Sequence, residues 1–334
     1  MADLKVGVLG GGSWGTTVAS LVSRNAPVTL WARNTETVRE INGQHTNGKY
    51  LPGCSLPQKL KADGRLDAVV STADVIVMGI PSQSFRGVLE EIRTHIRAWV
   101  PIISLTKGLE AGTRKRMTEI VEEVLPGHPV GVLTGPNLAR EIMEGRAAAS
   151  VLAMKGGGDV ELLRPLFNSG LFRVYSNEDV TGCEFGGVLK NIIAIAVGMG
   201  DGLGAGDNTR AGLITRGLAE ITRLGVALGG RAETFTGLAG MGDLIATCVS
   251  PQSRNRHVGL QLAKGLTIDE VIAEMVMVAE GVKSAPAVMA LAEEQAISMP
   301  IAEDVYKVLT GASTAQRAFR GLLRVTAGAE SEPG

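Results

Sequence analysis

Cysteine is scarce in this 334-residue chain: Cys54, Cys183 and Cys248 are odd in number and far apart. That spacing excludes a disulfide framework and a cysteine-rich zinc site, and it points to a reducing compartment. No charge sign dominates either, since 33 Lys and Arg stand against 34 Asp and Glu for a net charge of -1. A basic field for nucleic acid or an anionic membrane is therefore absent, and a small-molecule enzyme is the expectation. The opening Met1-Ala2-Asp3-Leu4-Lys5 has no basic leader ahead of an apolar run, which argues against secretion. The longest uncharged stretch, Val6 to Ser23, carries five glycines with Ser13, Thr16, Thr17 and Ser20. Such a stretch does not suit a bilayer core, which needs about 20 mostly apolar residues. His45, His95, His128 and His257 show no pair at ligand spacing, so no metal site is expected. The chain reads as soluble and cytoplasmic, with no stable membrane insertion and no nucleic-acid partner. What is plentiful is glycine, at 44 residues, above the usual share of about 7%, and that excess needs a local explanation.

The first half alternates short β-branched runs with charged amphipathic or Gly-rich segments: KVGVLG, PVTLWA, DVIVMGIP, WVPIISLT, PVGVLTGP and ASVLAM. This alternation predicts βαβ units and a mostly parallel sheet. After LFRVYSN, which ends at Asn177, apolar residues recur at helical spacing, as in Val188, Ile192, Ile195, Ala196 and Met199. The remainder is expected to be all-α.

The first strand runs into Gly10-Gly11-Gly12-Ser13-Trp14-Gly15, a G-x-G-x-x-G pattern followed by an apolar helical run from Thr17 to Val22. Between a strand and a helix these glycines allow a tight turn, close approach to a pyrophosphate, and packing of helix on strand. The helix N-terminus then offers its amides to the anion. The first domain, 1–186, is thus expected to be an α/β Rossmann-type dinucleotide-binding domain. Residues 187–327 would form the helical substrate-binding and catalytic domain, and 328–334 a disordered tail. The second strand ends in Leu30-Trp31-Ala32-Arg33-Asn34, where an acidic residue would bond the ribose hydroxyls of NAD. A guanidinium there suits the 2′-phosphate of NADPH instead. The alternative is that Arg33 is a solvated charge, or stacks on adenine without discriminating.

A second candidate region is Gly186-Gly187-Val188-Leu189-Lys190-Asn191-Ile192-Ile193-Ala194-Ile195-Ala196. A lysine desolvated by apolar neighbours can serve as an acid–base group; the blander reading is a lysine that snorkels to water. Polar clusters follow at Gly200 to Arg210, Gly240 to Thr247, and Ser253-Arg254-Asn255-Arg256, whose donors suit a phosphate at a helix N-terminus.

Taken together, GGGSWGT, LWAR, TKGLE, KNIIAIAVGMGDGLGAGDNTRAGLITRGLAE, GLAGMGDLIATC and SPQSRNR, extending to AEGV at Ala279 to Val282, resemble the bacterial NAD(P)-dependent glycerol-3-phosphate dehydrogenases. The blocks span nearly the whole chain, and the long lysine-bearing block is more specific than the glycine fingerprint. The resemblance implies reversible reduction of dihydroxyacetone phosphate to sn-glycerol 3-phosphate for glycerophospholipid synthesis, with NADPH as cofactor and NADH also accepted. It implies a homodimer. By motif, it makes Lys190 the proton-transfer residue, with Lys107 reaching substrate and cofactor and with Asp243 and Thr247 around the reacting carbon. Ser253, Arg254 and Asn255 would grip the phosphate, and Gly135 and Asn137 would line the substrate. Gly10, Gly12, Ser13, Trp14, Gly15, Arg33, Lys107, Ala139, Arg254, Val278 and Glu280 would contact the cofactor.

One block departs from the family pattern. Gly-Pro-Ser or Gly-Pro-Thr followed by Phe-Ala is usual, and here Gly135-Pro136-Asn137-Leu138-Ala139 stands. An amide offers both a donor and an acceptor where a hydroxyl would stand, with a different reach. Two rival readings remain: a related NADP-dependent dehydrogenase of another phosphorylated or acidic hydroxy substrate, and a cofactor-binding sensor without turnover.

Overall fold

The computed structural model describes residues 4–156, 158–275 and 277–322. The chain forms two compact units, one from residues up to Thr106 with Lys115–Val180, the other from Lys107–Arg114 with the chain from Thr181 onward. Residues 181–186, which the sequence pattern placed in the first domain, therefore lie in the second unit, and so does the short segment Lys107–Arg114. The tail 328–334 lies outside the described residues.

The first unit is an eight-stranded sheet of order β3-β2-β1-β4-β5-β6-β7-β8. Its strands are β1 (Val6–Leu9), β2 (Val28–Trp31), β3 (Lys61–Asp63), β4 (Val75–Met78), β5 (Ile102–Ser104), β6 (Val130–Thr134), β7 (Ala148–Met154) and β8 (Phe172–Asn177). The helices are α1 (Ser13–Val22), α2 (Thr35–Gln44), α3 (Leu66–Thr72), α4 (Ser82–Ile92), α5 (Met117–Val124), α6 (Ala139–Met143) and α7 (Gly158–Phe167). All pairings are parallel except β6 with β7, where Thr134 lies opposite Val151.

Side chains alternate across a strand, so the two faces of the sheet need two cores. Val8, Val75 and Val77 join Val18, Leu30 and Phe167 on one face, whereas Leu9, Ile76 and Met78 join Phe85 and Leu89 on the other. Burial on both faces is why these strands read as continuous apolar runs. β3 was not legible as a strand, because only Ala62 of Lys61-Ala62-Asp63 is buried and the strand sits at the sheet edge.

The second unit is helical: α8 (Val180–Gly202), α9 (Asp207–Ala227), α10 (Ala232–Thr236), α11 (Asp243–Val249), α12 (Arg254–Ala263), α13 (Ile268–Glu274), α14 (Glu280–Glu294), α15 (Pro300–Leu309) and α16 (Ala315–Leu322), with a π turn at Leu238–Gly242 just before α11. α8 is long and apolar enough to cross a membrane by length and composition, and 94% of its most apolar window is buried inside the protein. A helix apolar all round is a core helix when others cover it. Here Phe235, Leu244, Val258, Val288 and Val305 belong to the same core as Ile192 and Ile195.

One polar group inside this core has an architectural task. α15 begins at Pro300 with no side-chain cap of its own, and Glu220 of α9 accepts from the amides of Ile301 at 2.8 Å and Ala302 at 3.2 Å. Burial pushes the Glu220 carboxyl up to about 7, against the pull of those two amides. A carboxyl whose pKa is raised on folding contributes stability below its unfolded value, and that contribution is lost as pH rises through the folded value. Urea unfolding of the wild type and Glu220→Gln across pH 4.5 to 7.5 should show the wild type losing on the order of 3 kcal/mol relative to the variant. A difference independent of pH would remove Glu220 as the titrating group.

Candidate active site

In the first unit the glycine turn between β1 and α1 divides its tasks. Gly10 has φ +119°, and a Cβ on it would overlap the carbonyl oxygen of Gly79. A Cβ on Gly15 would overlap the carbonyl of Gly10, so the third glycine lets the helix sit on its strand. Gly12 is the opposite case, with nothing within 4 Å of where its Cβ would stand. No side chain caps α1 and no acidic residue stands in its first turn. Tight turn, open approach and uncapped helix start together fit a pyrophosphate. Trp14 adds an indole Nε1 that is buried without a hydrogen-bond partner, and its ring packs edge-on to Phe172 at 6.3 Å. Ser13 opens the helix. Arg33 lies exposed two residues past the end of β2.

Sequence reading missed the brace of this turn. Asn47, fully buried, donates from Nδ2 to Gly11 O and to Thr16 Oγ1, both at 2.9 Å. No motif marks it.

Gly135, Asn137 and Ala139 follow β6. Gly135 takes φ +139°, and its Cα lies against Ser150 of β7, where an added Cβ would come within 3.2 Å of the Ser150 backbone. Ser150 Oγ donates to Thr134 O at 2.8 Å and lies 3.2 Å from Asn137 Oδ1. The Asn137 Nδ2 is buried with no partner, so the departing residue presents an unused donor. Ala139 is the first residue of α6.

In the second unit four residues from three separate segments meet. Asp243 places Oδ1 2.9 Å from Lys190 Nζ and Oδ2 2.6 Å from Lys107 Nζ. Lys190 also donates to Thr247 Oγ1 at 2.5 Å. Asp243 and Thr247 stand four apart on α11 and so share a face; the π turn before them is a device common at functional sites. The Asp243 and Lys190 side chains are 3% and 6% exposed and that of Lys107 is 17% exposed. The snorkelling alternative for Lys190 therefore fails. Desolvation pushes the Lys107 ammonium down to about 8, with Asp243 opposing and the Lys190 and Arg254 cations adding to the fall. Two ammonium groups on one carboxylate leave a net positive charge almost out of water. Such a cluster can stabilise a developing oxyanion and deliver a proton to it.

Beside this cluster runs a relay of amides. Gly281 N donates to Asn255 Oδ1 at 3.1 Å, Asn255 Nδ2 to Asn191 Oδ1 at 2.8 Å, and Asn191 Nδ2 to Gly187 O at 3.1 Å. Each amide is oriented by the next. Ser253 caps α12 by accepting from Arg256 N at 3.2 Å. Arg254, exposed at the helix start, donates from Nη1 to Val278 O at 2.7 Å, and the Glu280 carboxylate acts on its guanidinium electrostatically. The fold thus gathers Lys107, Lys190, Asp243 and Thr247 in one place, and Ser253, Arg254, Asn255, Val278 and Glu280 around the starts of α12 and α14. Asn191 was missed as a site residue, although its place next to Lys190 in an apolar run was the available signal.

Comparison with known proteins places the chain in a family. The model of the NAD-dependent glycerol-3-phosphate dehydrogenase N-terminus matches residues 5–157, and that of the C-terminus residues 179–320. A glycerol-3-phosphate dehydrogenase (NAD(P)+) of Sphingopyxis alaskensis is 70% identical over 331 residues, 99% of each chain. One from Mycobacterium tuberculosis is 54% identical over 327 residues, 98% of this chain and 96% of that one. The crystal structure of the glycerol-3-phosphate dehydrogenase of Coxiella burnetii superposes with a TM-score of 0.92 at 38% identity, covering 97% of this chain and 99% of that one.

Proposed function

The chain belongs to the NAD-dependent glycerol-3-phosphate dehydrogenase family, and on that premise we propose that it reversibly reduces dihydroxyacetone phosphate to sn-glycerol 3-phosphate. NADPH is the cofactor, NADH is also accepted, and the product supplies glycerophospholipid synthesis. The observation that carries the reading is the sharing of Asp243 by Lys190 and Lys107. When bound, the nicotinamide supplies the hydride that adds to the ketone carbon. Negative charge then develops on the ketone oxygen, and Lys190 Nζ gives that oxygen its proton. Asp243 and Thr247 hold the donor in place; Lys107 adds positive charge facing the substrate. Ser253, Arg254 and Asn255 take the phosphate, while Gly135 and Asn137 line the substrate.

For the cofactor, Gly10, Gly12, Ser13, Trp14 and Gly15 receive the pyrophosphate, and Arg33 takes the 2′-phosphate. Lys107, Ala139, Arg254, Val278 and Glu280 complete its contacts. The family resemblance extends the reading to a cytoplasmic homodimer.

The direct test follows NADPH oxidation on adding dihydroxyacetone phosphate, with unphosphorylated dihydroxyacetone in parallel. Rapid oxidation with the phosphorylated ketone is expected, and Lys190→Ala should lower kcat by about 10²–10⁴. A near-normal Lys190→Ala enzyme would end that assignment, and no turnover of the phosphorylated ketone would end the reaction itself. Deprotonation of Lys107 near pH 8 removes positive charge from the cluster, so kcat/KM for reduction should fall as pH rises through that value. Lys107→Arg keeps its charge and should move this fall to higher pH; an unmoved profile places the titration on another group. Finally, Arg33→Asp should raise KM for NADPH far more than for NADH, and equal changes would return Arg33 to the role of a solvated charge.

A further inference from the structure

The helix that starts with Ser253, Arg254 and Asn255 meets the lysine helix through close glycine contacts. A Cβ on Gly198 of α8 would overlap Arg256 O, and one on Gly259 of α12 would overlap Ile195 O. Farther along, a Cβ on Gly202 would stand 2.5 Å from the Cβ of Ala263. Small residues let two backbones approach this closely. They fix the distance between the helices, but a glycine presents no ridge of its own, and interlocking ridges and grooves are what set register.

Polar groups tie α8 to the first turn of α12 at two adjacent residues. One is the Asn191–Asn255 amide contact. The other is Asp201, whose side chain is 6% exposed. Its Oδ2 receives Arg256 Nε at 2.8 Å and Nη2 at 2.7 Å. Its Oδ1 receives Arg210 Nε and Nη2 of α9, both at 2.9 Å. One buried carboxylate thus ties the end of α8 to the first turns of α9 and α12. Arg256 is held twice over, its amide by Ser253 and its guanidinium by Asp201. Its neighbours Arg254 and Asn255 stand on the same helical turn.

We propose that Asp201 is a positioning residue for phosphate recognition: by holding Arg256 it sets the register of α12 along α8, and so where Ser253, Arg254 and Asn255 meet the phosphate. The inference rests on the reading of α12 given under Proposed function. Asp201 touches neither substrate nor cofactor and acts through Arg256. Its removal should therefore weaken recognition of the phosphate more than the chemistry on the ketone.

The test compares wild type, Asp201→Asn, Arg256→Lys and the double variant Asp201→Asn with Arg256→Gln. Two readouts are used: the ratio of kcat/KM for dihydroxyacetone phosphate over unphosphorylated dihydroxyacetone, and the rise in melting temperature with inorganic phosphate. Asp201→Asn should lower the ratio about ten-fold, equivalent to one lost charge-assisted contact. It should also require about ten-fold more phosphate for the same thermal shift. The double variant should lose no more than Asp201→Asn alone, because the two residues act as one unit. Arg256→Lys keeps a single charged donor and should fall between, which provides the measurement if Asp201→Asn does not fold. Equal losses on both ketones with an unchanged phosphate response would make Asp201 a general stabiliser and overturn the proposal, as would a double variant that loses clearly more than Asp201→Asn alone. A wild-type enzyme showing neither phosphate stabilisation nor preference for the phosphorylated ketone would instead remove the underlying reading of α12.

Discussion

Two ammonium groups and one carboxylate, nearly out of water, set the terms for the second unit. Asp243 is 3% exposed, and it is the only acidic group bonded to both Lys107 and Lys190 among the described residues. Taking one partner from a buried pair typically costs about 3–5 kcal/mol, since the remaining charge has nowhere to go. The cluster explains an oddity of the chain path. Lys107–Arg114 follows a strand of the first unit yet belongs to the second. Leu109 is buried in the helical core, Leu109 N reaches Ser284 Oγ at 3.4 Å, and Arg114 pairs with Glu294 at 2.7 Å. Those contacts anchor the segment that delivers Lys107 to Asp243.

The two helix starts proposed to receive anions differ physically. At the glycine turn the chain relies on backbone: an uncapped helix start without a charged side chain in its first turn, braced from behind by Asn47. At α12 it uses full charges, with Arg254 and Arg256 in the first turn of the helix. Cations at a helix N-terminus oppose the helix dipole, which disfavours them by about 0.3–1 kcal/mol each. Asp201, shared with Arg210, pairs with the one that is turned inward, and Arg254 is left exposed.

Much of this was legible in the sequence because it depends on local spacing. The parallel strands showed as apolar runs, since both faces of the sheet are covered, and the first and third glycines of the fingerprint have the close contacts their positions suggested. Lys190 was ambiguous: an apolar helical run around a lysine describes a buried acid–base group and a snorkelling surface group equally well. Its 6% exposure rules out the snorkelling surface group. Asn137 is a different case, because the departure from the family pattern was visible and its consequence was not. The buried, unpartnered Nδ2 depends on where Ser150 of a neighbouring strand places its hydroxyl.

The sequence by itself determined the class of fold, the nucleotide turn and the family, because strand burial, turn geometry and motif spacing are written within short stretches of chain. Tertiary structure alone decided which charges meet. Asp243 with two lysines, Asn191 with Asn255, Asp201 with Arg256 and Glu220 with the start of α15 are all pairings between distant segments. Their energies depend on distance and desolvation, quantities that exist only once the helices have packed.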